Sequence, residues 1–121
     1  MIEQHLYARL KTVAANVYPN VAPLNYKTPA VIYQRIDTEP MGDLDVGVAT
    51  EGFVTFQVSV SAPVFGDAMT LARAIKSNLA TWENDEVQSV SWLNEHPMTD
   101  DTTDVTLHRV LLFFKFYSSA I

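Results

Sequence analysis

The fold is decided by residues 52 to 82, Gly52-Phe53-Val54-Thr55-Phe56-Gln57-Val58-Ser59-Val60-Ser61, then Ala62-Pro63-Val64-Phe65-Gly66-Asp67, then Ala68-Met69-Thr70-Leu71-Ala72-Arg73-Ala74-Ile75-Lys76-Ser77-Asn78-Leu79-Ala80-Thr81-Trp82. The first part alternates. Val54, Phe56, Val58 and Val60 fall on one face, and Thr55, Gln57, Ser59 and Ser61 on the other. That pattern predicts a half-buried strand of period two. The last part places Ala68, Leu71, Ala72, Ile75, Leu79 and Trp82 at helical spacing. A strand, a tight connection capped by Asp67 and an amphipathic helix follow from it. No catalytic constellation lies among these residues.

Outward from this unit the chain stays α+β. Ile2, Leu6, Leu10, Val13 and Val17 form one stripe and predict a helix over 2–17, ended by Pro19. Residues 20–28 read as an ordered, irregular connection. Val31, Ile32, Tyr33 and Ile36 predict a strand over 30–37, apolar enough to be covered on both sides. A loop of about 14 residues, Thr38 to Glu51, joins it to the strand at 53–61. Hairpin loops usually have about two to five residues, so this length asks for a function or for disorder. The loop is expected to be mobile until a neighbour orders it. A weaker strand is expected over 87–94, a second acidic loop from Glu95 to Thr103, and a closing strand over 104–117. The expected fold is an antiparallel four-stranded sheet with two helices, in the order α-β-β-α-β-β, as one domain over 1–121. Its expected core is Leu6, Leu10, Val13, Ile32, Val54, Phe56, Val58, Leu71, Ile75, Leu79, Leu112 and Phe114.

Composition narrows the function. The 121 residues suffice for one domain with a sizeable core. There is no cysteine, hence no disulfide scaffold and no thiolate site. The opening residues resemble no secretory signal, and the longest apolar run, Val110 to Phe114, is too short to span a bilayer. A soluble protein made in the cytosol is expected, without a membrane partner. The net charge is −6, from 14 acids and 8 bases, which disfavours a grip on phosphate backbones. Nine of the acids fall in two segments without Lys or Arg: Asp37, Glu39, Asp43, Asp45 and Glu51, then Glu95, Asp100, Asp101 and Asp104.

His5, His96 and His108 are not at metal-ligand spacing. Asp43 and Asp45 begin a calcium-like spacing that stops after two carboxylates. The serines have no glycine elbow, and the four glycines are too scattered to cradle a phosphate. These residues predict no enzyme, no cofactor and no metal.

The closing strand has two unlike faces. Val110, Leu112, Phe114 and Phe116 form one, and Arg109, Leu111, Phe113, Lys115 and Tyr117 the other. Either one helix covers each side of the sheet, or a second copy covers the far side. If a copy does, Arg109 and Lys115 are expected to pair with acids of its loop.

One resemblance covers nearly the whole chain. Its residues are Val17-Tyr18-Pro19-Asn20-Val21-Ala22-Pro23, then Thr28-Pro29-Ala30-Val31-Ile32-Tyr33-Gln34-Arg35-Ile36. The strand Val54 to Ala62, the Ala-rich helix and the closing strand His108 to Tyr117 complete it. In this order they resemble the small tail-completion or tail-terminator proteins of long-tailed bacteriophages and prophages. The resemblance implies a non-enzymatic virion protein, assembled in the host cytoplasm. It implies a ring, commonly a hexamer, that caps the tail tube and joins it to the head connector or neck protein. On that reading Arg109, Leu111, Phe113, Lys115 and Tyr117 are candidates for the subunit interface. Asp37, Glu39, Asp43, Asp45 and Glu51 are candidates for a loop touching tube or neighbour. The alternative is a small dimeric α+β module whose Tyr33, Phe113 and Tyr117 line a pocket for an apolar ligand.

Overall fold

The computed structural model describes residues 2–41, 50–83, 86–101 and 106–121. Its elements are α1 (Ile2–Lys11), β1 (Val17–Pro19), β2 (Ala30–Pro40), β3 (Gly52–Ala62), α2 (Phe65–Ala80), β4 (Val87–Asp100) and β5 (Leu107–Ser118). The sheet has five strands in the order β1-β2-β3-β5-β4. Three pairings are antiparallel, and β1 runs parallel to β2. The α+β class and both helices agree with the sequence; the four-stranded, wholly antiparallel sheet does not.

The fifth strand comes from what reads as the end of the first helix. Thr12 N–H and Val13 N–H donate to Arg9 O and Leu10 O, so the helix tightens and stops. The Thr12 hydroxyl also donates to Arg9 O, which takes up a terminal carbonyl. Val31 N–H then donates to Asn16 O at 2.8 Å, tying the outgoing chain to β2. Val17, read as the last residue of the helical stripe, is buried as a strand residue opposite Val31. Pro19 fits because β1 is an edge strand.

Both helices pack on one face of the sheet. Ile2, Leu6 and Leu10 of α1 and Ala68, Ala72, Ile75 and Leu79 of α2 share a core with Val54, Phe56, Val58, Val60, Val110, Leu112, Phe114 and Phe116. Three expected core residues are placed differently. Ile32 points to the opposite face and is half-buried, while its neighbours Val31 and Tyr33 enter the core. Val13 and Leu71 are half-buried at the core's margin. The 30–37 strand is therefore not covered on both sides, and Ile36 is exposed.

α2 starts two residues before the expected Asp67. Its N-cap is Val64, which makes no side-chain capping bond. Asp67 lies inside the first turn, where its charge still complements the helix dipole. Trp82 is buried just past the helix end, edge-on to Phe116 at 5.4 Å.

The strands run longer than their patterns suggest. β2 continues to Pro40, so Thr38, Glu39 and Pro40 pair with Val54, Phe53 and Gly52 instead of looping. The expectation of mobility between β2 and β3 falls mostly on residues 42–49, outside the described residues, and these include Asp43 and Asp45. β4 extends through Pro97 to Asp100, where the sequence reads as acidic loop. As an edge strand it tolerates proline. Its register shifts at Val87/Ser89 and at Trp92/Asn94, and each shift switches which residues face the helices.

Candidate subunit interface

With both helices on one side, the other face of the sheet has no covering element among the described residues. The register fixes which side chains it carries. From β5 they are Arg109, Leu111, Phe113, Lys115 and Tyr117, opposite Ser61, Ser59, Gln57, Thr55 and Phe53 of β3. Ile32 and Gln34 of β2 pair with Ser59 and Gln57 and extend it. All five β5 residues are half-buried. Neither helix covers them, which closes one of the two possibilities left by the sequence.

The two sequence-predicted groups meet on this face. Glu39 lies opposite Phe53, and its Oε2 is 3.4 Å from Lys115 Nζ. The same ammonium sits 4.7 Å from the centre of the Phe53 ring. Phe53 packs edge-on against Tyr117 at 4.9 Å. The Tyr117 phenol is held above its ordinary pKa, by desolvation first and then by the charge and hydrogen bond of Glu51. Asp37 sits farther along β2, opposite Thr55.

At the other end Arg109 Nη2 is 3.0 Å from Asp100 Oδ2 on β4. Arg109 and Lys115 thus find acids within their own chain. β2 and β4, flanking β3 and β5, bring Glu39 and Asp100 alongside. Between the two ion pairs the face is apolar, with Leu111 and Phe113 side by side on β5.

β4 contributes residues that its loop-like sequence concealed. His96 packs edge-on to Phe113 at 6.0 Å. Met98, Asp100, Ile32, Gln57, Ser59 and Leu111 border a concavity of about 490 Å³ near Arg109. Ser59 Oγ and Arg109 Nε are buried there without a hydrogen-bond partner among the described residues. The clue in the sequence was β4's alternation, which two bulges hide.

The apolar-ligand pocket of the alternative reading is not assembled. Tyr33 pairs with Val58 and is buried beneath α1, its ring 6.3 Å from that of Tyr7. Phe113 and Tyr117 lie on the opposite face. Alternate positions along β2 cannot share a face. Among the described residues no group of three or more His, Asp or Glu side chains could hold a metal, and no helix is long and apolar enough to cross a membrane.

The chain matches the family described as tail completion protein gp17 over residues 4–118. It belongs to that family. Membership makes it a structural protein of a phage tail, located in the virion. Solved structures share the fold. A chain from the virion of native gene transfer agent (GTA) particle is similar with a TM-score of 0.62 at 18% identity, over 93% of this chain and 90% of its own. A second solved chain has a TM-score of 0.56 at 18% identity, over 97% of this chain and 89% of its own. Among curated proteins none matches.

Proposed function

We propose that this tail completion protein, acting as one domain over 1–121, forms a homo-oligomeric ring, a hexamer, at the end of the tail tube. The ring stops tube growth and offers a docking face to the head connector or neck protein. The observation that carries this reading is the one-sided packing of the helices, which leaves Leu111, Phe113 and Tyr117 on a face without cover among the described residues. A contiguous apolar strip with paired charges at its ends suits a protein contact better than water. Arg109, Leu111, Phe113, Lys115 and Tyr117 form the subunit contact. Asp37, Glu39 and Glu51, at the base of the β2–β3 hairpin, face the tube or the neighbouring subunit.

The chemistry of the role is non-enzymatic and needs no cofactor. A net charge of −6 per subunit repels a DNA duplex, which suits a passage better than a nucleic-acid binding site.

Electron microscopy of the purified chain mixed with tail tubes tests the proposal. Closed rings seated at tube ends are expected. Bare tube ends, or a chain that stays monomeric beside them, contradict it.

A further inference from the structure

The connection between β1 and β2 presents apolar side chains outward from a loop anchored at both ends. Leu24 is 92% and Val21 76% exposed. Asn20 and Asn25 both take left-handed backbone conformations (φ 61°), which Asn tolerates better than most residues. Asn20 N–H donates to Tyr33 O at 2.9 Å, and Tyr26 packs edge-on against Tyr18 at 6.4 Å. Tyr18 is paired with Ile32, so this anchor lies on the open side of the sheet. The loop is a formed knob, and nothing among the described residues covers it.

On the helix side lies a groove of about 380 Å³ between the chain leaving α1 and the first half of α2. Val13, Ala14, Pro29, Leu71 and Ala74 line it, with Asp67 at its rim. The space admits a leucine side chain with a valine beside it. The charges also match. Lys27 follows the knob and is exposed, as is Asp67. Neither has a salt-bridge partner among the described residues, whereas Arg35, Lys76, Arg109 and Lys115 all do.

We propose that the Val21–Leu24 knob of one copy seats in the α1–α2 groove of the next, with Lys27 meeting Asp67 at the rim. Unlike surfaces in contact make a head-to-tail interface, the kind that closes into rings. The inference rests on the ring reading and adds a second, separate contact to it. It also accounts for a loop that exposes a leucine and a valine, where a solvated loop would carry polar residues.

Light scattering on the purified full chain, with circular dichroism as the check on folding, tests it. Leu24→Ser should leave the spectrum unchanged and weaken association about tenfold or more. Lys27→Asp and Asp67→Lys should each weaken it by about fivefold, and the double variant should recover most of the loss. Rings that form equally well in all these variants overturn the knob contact and leave the ring reading standing. Association that survives Leu24→Ser while attachment to tail tubes is lost overturns it too, and assigns the knob to the tube. A parent chain that forms no ring overturns both.

Discussion

Lys115 Nζ lies 3.4 Å from Glu39 Oε2, joining the interior strand β5 to the far end of β2 across β3. The pair flanks Phe53, whose ring the ammonium approaches. It is substantially exposed, so its value is small. A double-mutant cycle with Glu39→Gln and Lys115→Met should give a coupling of about 0.2–1 kcal/mol that shrinks in high salt. A salt-insensitive coupling would mean that the pair is desolvated.

Core substitutions should separate by depth. Phe56 is fully buried against Phe116, with the Arg35 guanidinium 5.7 Å from its ring centre. Phe56→Ala should cost about 3–5 kcal/mol in urea unfolding. Leu71 is only half-buried beside the α1–α2 groove, so Leu71→Ala should cost less, about 1–2 kcal/mol. Equal losses would contradict the register of α2.

Gly52 is required by space. A Cβ there would press on Glu39 O and sit 2.9 Å from Pro40 Cα, both backbone atoms of the facing strand. Gly52→Ala should destabilise by about 1–3 kcal/mol, because the ladder must shift to admit it. An unchanged unfolding midpoint would show that the hairpin end gives way freely.

Alkaline titration should report on Tyr33 and Tyr117. The pKa of Tyr33 is raised by burial, then by Tyr7 and Glu3, and that of Tyr117 by desolvation, then by Glu51. In both the folded state favours the neutral phenol, so the unfolded chain loses the proton first. Their contribution to stability is whole below the ordinary value of 10.0 and fades as pH rises through the folded values. An ultraviolet titration of the parent against Tyr33→Phe and Tyr117→Phe should show that each variant loses a phenolate transition lying above 10.0. A difference titration centred at or below 10.0 for either variant would contradict that environment.

The parts of the fold written in side-chain period were legible. The alternation of Val54 to Val60 set the inward face of β3, and the 3.6-residue stripe set the inward face of α2. What failed was written in backbone pairing. The four-residue spacing of Val13 and Val17 continues the α1 stripe, yet the hydrogen bond of Val31 to Asn16 makes Val17 a strand residue. The bulges of β4 break its alternation, so Glu95 to Asp100 read as an acidic loop. Ile32 looked like core because single-residue parity in β2 is set only by its neighbours. The uncovered strip was legible in β5 alone. Its charge partners were not, because Glu39 and Asp100 come from distant strands.

The central claim is that the open face of β5 is a subunit contact and not part of the fold's own core. Phe113→Asp tests it most directly, read by circular dichroism and light scattering on the same sample. A buried unpaired charge at an interface costs on the order of 3–5 kcal/mol, enough to prevent assembly. The account predicts a folded chain with a parent-like spectrum that no longer assembles. An unfolded chain, or a folded one that assembles as the parent does, would contradict it.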